Sequence, residues 1–108
     1  MPNTPVTIAM LHRAQAVIAM ARIGAKPDRA QALEAAQIVR NAQVQRHDQG
    51  LSGIDLEPAR RVVIMLAVGS RAPVMECIEA VRCLEREARR LVDALLPPGE
   101  PFEEPAHA

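Results

Sequence analysis

The residues Val62-Val63-Ile64-Met65-Leu66-Ala67-Val68 form an uninterrupted apolar run, opened by Pro58-Ala59-Arg60-Arg61 and closed by Gly69. No other stretch of the chain is as apolar. Periodicity alone fits a buried strand or a buried helix to so short a run. A strand needs a partner, however, and no other segment alternates or clusters β-branched residues. The flanks favour a helix: Pro58 suits the first turn, Asp55 is placed to cap it, and Gly69 suits the left-handed position just past the end. At ~100° per residue the seven positions point all the way round, which predicts a central helix over 56–68 covered on every side.

The rest of the chain punctuates as three further helices. Thr4-Pro5 reads as a cap and first helical position, and the helix runs over 5–23 to a stop at Gly24. Val6, Met10, Leu11, Ala14, Val17, Ile18 and Ala21 share one broad face of it. The opposite side carries Ile8, Ala19 and Ile23 beside His12, a second apolar face that calls for a partner. Asp28 with Gln31 makes a capping-box pair opening a helix over 28–49, whose stripe of Ala32, Ala35, Ala36, Val39 and Ala42, widened by Leu33 and Ile38, permits close helix approach. The last helix spans 73–96. There Val74, Val81, Ala88 and Leu95 recur every seven residues, and Cys77, Leu84 and Leu91 follow the first three at a spacing of three, a heptad seam. Pro97-Pro98-Gly99 ends it. Residues 98–108, with Glu100, Glu103, Glu104, two further prolines and Phe102, read as a disordered acidic tail. The expected fold is an all-α, four-helix bundle-like domain over 1–97, with the third helix at its centre.

Composition narrows the function. The 108 residues carry 13 basic and 13 acidic side chains, which removes the simplest electrostatic case for nucleic acid or a membrane surface. No apolar run approaches the ~20 residues of a membrane span, and no signal-like segment opens the chain, so a cytoplasmic protein is expected. The Arg-rich base usage suggests a bacterial or phage source. With no Trp, no Tyr and one Phe, the core is small aliphatic side chains and alanine, and a second copy of the chain would add buried area. Cys77 and Cys83 lie ~240° apart on one helix and neither bond to each other nor clamp a metal. The segment from Asp48 fails as a calcium loop, because Gly50 and Ala59 stand where a carboxylate and the bidentate glutamate belong. His47 and Asp48, adjacent on a helix, diverge and do not form an acid–base pair. There is no Gly-rich phosphate loop and no nucleophile constellation. A non-enzymatic protein with no cofactor and no metal is expected.

Gly69-Ser70-Arg71-Ala72-Pro73-Val74-Met75-Glu76-Cys77-Ile78 resembles the turn and second-helix start of a bacterial helix-turn-helix, with Val74 and Ile78 at its inward positions. The resemblance covers some twenty residues. It implies a nucleic-acid surface at Ser70, Arg71 and Arg82, with Arg29, Arg40 and Arg46 on phosphates. Glu76 and Glu79 share that surface and repel phosphate. The first expectation is therefore a small protein-interaction module, an adaptor, chaperone-like protein or inhibitory regulator. It would act through Ile8, His12, Ala19 and Ile23 on a second copy or a larger protein. A helix-turn-helix component of a phage or plasmid regulator is the alternative.

Overall fold

The structure is a computed structural model and describes residues 5–96. Thr4 and the acidic tail, with the roles expected of them, lie outside the described residues. Within them the chain is all-helical: α1 Ile8–Arg22, α2 Arg29–Asp48, a short 3₁₀ turn Gly53–Leu56, α3 Glu57–Ala67 and α4 Val74–Leu95. No helix among them is long and apolar enough to cross a membrane.

Local hydrogen bonds set the boundaries. The first helix begins three residues later than Pro5, because the Thr7 hydroxyl accepts the Met10 N–H at 3.1 Å. Val6, buried, instead donates its N–H to Gln45 Oε1 at 2.9 Å. At α2 the capping box is complete. The Asp28 carboxylate accepts from the Gln31 N–H at 2.8 Å, and the Gln31 side chain accepts from the Asp28 N–H at 3.1 Å. Asp55 does not cap α3. Its carboxylate is taken by Arg46, and α3 starts at Glu57 on Pro58 with no side-chain cap.

The four helices alternate up and down and close into a ring. α1 lies against α2 and α4, α3 lies against α2 and α4, and α1 and α3 face one another across the diagonal with little contact. The most extensive interface joins the first and last helices. There Gln15 Nε2 donates to the Val81 carbonyl at 3.2 Å. Leu11, Ala14, Ile18, Val39, Leu56, Val62, Val63, Cys77 and Leu84 fill the centre. The alanines of α2, with Ala32, Ala35 and Ala42 buried, let its neighbours approach closely.

The ring geometry corrects the expected central role of the apolar run. α3 has only 11 residues and two flanking helices, so one side of it stays open. Val62 and Val63 are buried, whereas Ile64 is 42% and Val68 72% exposed. The heptad seam of α4 is likewise confined to its middle. Cys77, Leu84 and Ala88 are buried and Val81 and Leu91 partly so, while Val74 and Leu95 at its ends, and Leu33 on α2, are exposed.

Candidate functional site

The up-and-down order brings the C-terminal ends of α1 and α3 to the same end of the bundle as the starts of α2 and α4. Both C-terminal ends stop in the same way. Gly24, at φ 88°, donates to the Ala21 carbonyl and Ala25 to the Met20 carbonyl; Gly69, at φ 82°, donates to the Leu66 carbonyl and Ser70 to the Met65 carbonyl. These are the paired backbone bonds of a glycine-terminated helix, and a positive φ is what makes glycine the fitting residue there. Between the two turns lies a half-open groove of about 630 Å³. Its walls include the apolar side chains of Leu66, Ala72 and Val74 and the cations Arg22, Lys26 and Arg71.

The electrostatics of the groove are one-sided. No carboxylate lines it, and among the described residues none of the three cations is within ion-pair distance of an acid. The nearest acids in sequence are engaged. Asp28 caps α2, and Glu76 sits 3.9 Å from Arg61. In an antiparallel ring the helix dipoles largely cancel at each end, so the side-chain charges set the local potential. The groove thus sets three cations beside apolar side chains.

Nothing in it is poised for covalent chemistry. Cys77 is buried close by, its Sγ 3.8 Å from the Ala72 carbonyl. Burial pushes this thiol's pKa up and the charge of Glu76 adds to the rise, so it stays protonated at neutral pH. Burial raises Cys83 in the same way. Among the described residues no group of three His, Cys, Asp or Glu side chains is placed to hold a metal.

At the opposite end the chain buries a charge network. Arg46, 7% exposed, donates from Nη1 to Glu87 Oε1 at 2.6 Å, from Nη2 to Asp55, and from Nε to the Ser52 carbonyl at 2.7 Å. Arg90 closes on the same carboxylate, at 2.6 and 3.0 Å. Burial alone would raise the Glu87 pKa, but hydrogen bonds from Arg90 and Arg46, and their charges, hold it below the ordinary carboxylate value. Every buried side-chain polar atom among the described residues has a partner. The network ties helices together, and a shallower hollow of about 370 Å³ lies over it, lined by Arg46, Asp55, Arg86, Glu87 and Arg90.

The residues singled out from sequence fall in several places. Ile8 is turned partly inward and packs against the core, so it does not stand on an outer face with the others. His12 and Ala19 are exposed along α1, and Ile23, 80% exposed, stands at its C-cap beside the groove. Ser70 and Arg71 line the groove, whereas Arg82 is exposed farther along α4. Val74 is 53% exposed and does not take the inward position that the helix-turn-helix resemblance gave it. Arg46 is buried and paired, so it offers nothing to phosphate.

Arg22 and Lys26 were not singled out. A signal for Lys26 exists: Gly24-Ala25-Lys26 and Gly69-Ser70-Arg71 both place a cation two residues past a helix-ending glycine. Comparison with protein families, curated proteins and solved structures finds no match for this chain.

Proposed function

We propose that this chain is a small, non-enzymatic protein-interaction module whose end groove docks an acidic, apolar-bearing segment of a partner. The observation that carries the reading is the convergence of Arg22, Lys26 and Arg71, none of them ion-paired among the described residues, around apolar side chains between two hydrogen-bonded glycine turns. A pocket of this size and half-open form suits a few side chains of an extended segment. Rim cations steer an acidic partner and select against a basic one. The protonated thiols favour a non-catalytic role, and unpaired buried cysteines suit a reducing compartment such as the cytoplasm.

Nucleic-acid binding competes for the same cations. Ser70 and Arg71 line the groove, but the exposed Val74 and the acids Glu76 and Glu79 on the start of α4 do not suit a groove-reading helix.

Fluorescence anisotropy separates the two readings. The probes are a labelled peptide alternating Glu with Leu and Phe, its Lys-for-Glu counterpart, and a random DNA duplex, all at ~150 mM salt. Saturable binding of the acidic peptide alone, lost in Lys26→Glu/Arg71→Glu, is the expected result. No binding of that peptide overturns the docking reading. Duplex binding tighter than ~1 µM, weakened by Arg71→Ala with a salt slope flatter by about one unit, would put the helix-turn-helix reading in its place.

A further inference from the structure

Resting on the docking reading above, we infer that the groove's own occupant is the acidic tail of a second copy of this chain, with Phe102 on the apolar side chains and Glu100, Glu103 and Glu104 against Arg22, Lys26 and Arg71. Three cations with no acid in ion-pair distance among the described residues, and three glutamates within five residues of the tail, are complementary in sign and number. Phe102 is the sole aromatic of the 108 residues and is set among glutamates and prolines. Its immediate neighbours offer it little apolar cover, and the groove's Leu66, Ala72 and Val74 supply it.

Geometry decides that the tail comes from another copy. Val74, at the groove, and Leu95, before the tail, are the two ends of α4. A helix of that length separates them by about 32 Å. Seven residues lead from Leu95 to Phe102, and a fully extended chain spans at most about 25 Å over seven residues. Phe102 therefore falls short of its own groove. Two copies lying antiparallel place the tail end of each beside the turn end of the other, and reciprocal exchange about a two-fold axis closes the pair as a dimer.

The chain contains no Trp and no Tyr, so Phe102→Trp gives the full-length protein a single reporter at the proposed contact. Its emission should move to shorter wavelength as concentration rises from about 1 to about 200 µM, in step with a rise to dimer mass by light scattering. The shift should be lost in Phe102→Trp/Lys26→Glu/Arg71→Glu. Adding excess wild-type chain, whose groove is intact, should restore it to that triple variant. If charge reversal unfolds the chain by circular dichroism, Lys26→Gln/Arg71→Gln takes its place. Solvent-like emission at every concentration overturns the inference, as does a shift that does not depend on concentration. If the acidic peptide binds the groove while the tail reporter stays silent, the docking reading stands and the tail assignment alone fails.

Discussion

The Arg46 guanidinium reaches the Glu87 carboxylate at 2.6 Å and so joins α2 to α4, two helices that are not neighbours in the ring. Only 2% of Glu87 is exposed, and Arg90 holds its other oxygen. Removing the carboxylate strands a buried cation. Glu87→Gln should therefore cost about 3 kcal/mol, moderated because Arg46 keeps Asp55 and the Ser52 carbonyl. Urea denaturation at neutral pH measures it, and a loss within error of zero would contradict the network's structural role.

The same pair sets an acid limit. The folded Glu87 carboxyl has a pKa lowered from 4.5, so its contribution is complete above that value and drains away as pH falls through the folded one. Denaturation midpoints followed from pH ~7 to ~3 should show a smaller acid-side loss in Glu87→Gln than in the wild type. Equal slopes would show that other carboxyls carry the acid sensitivity.

Within the apolar run of α3, neighbouring positions should respond oppositely. Val62→Asp puts an unpaired charge at a fully buried site, a cost of several kcal/mol against a total of roughly 5–15, and should abolish the cooperative melt. Ile64→Asp faces water and should melt within a few degrees of wild type. Unfolding by both would mean that Ile64 is covered.

Gly24→Ala and Gly69→Ala test the two turns. No atom lies within 4 Å of where either new Cβ would stand, so the positive φ is the whole penalty. Each substitution should cost about 1 kcal/mol, read as a small drop in thermal midpoint with unchanged helix content by circular dichroism.

The two thiols should be silent to a water-soluble disulfide reagent at pH ~7.5, because both are buried and their pKa values are raised. They should react fully in denaturant. Fast labelling of the native protein would point to opening around α4.

Helix punctuation was readable from the chain because it is local: glycines at positive φ end α1, α2 and α3, and Asp28 with Gln31 starts α2 as a capping box should. Facing was less readable. A run that is apolar on all sides does not say which side the neighbours leave open, and Ile64 and Val68 lie on the side that a ring of four leaves to water. The first-helix face failed at Ile8, which the core takes in while His12, Ala19 and Ile23 stay outside. Glu87 stands three residues after Leu84 and seven after Ala80, in step with the buried face of α4, but nothing near it in sequence names a partner that would let a carboxylate stay there. Only the arrival of Arg46, 41 residues away, makes it a buried one. The groove was half legible, since both turns could be read from their glycines but only that of Arg71 resembled a functional motif, and Lys26 in the other was passed over.

The broadest interface, between α1 and α4, also fixes the order in which the molecule can become stable. Leu11, Ala14 and Ile18 leave the ribosome some sixty residues before the helix that covers them. The contact that closes the ring is thus among the most distant in sequence, and closing so long a loop is a slow, entropically costly step. Without α4 the inward faces of α1 and α3 lose the helix that covers them.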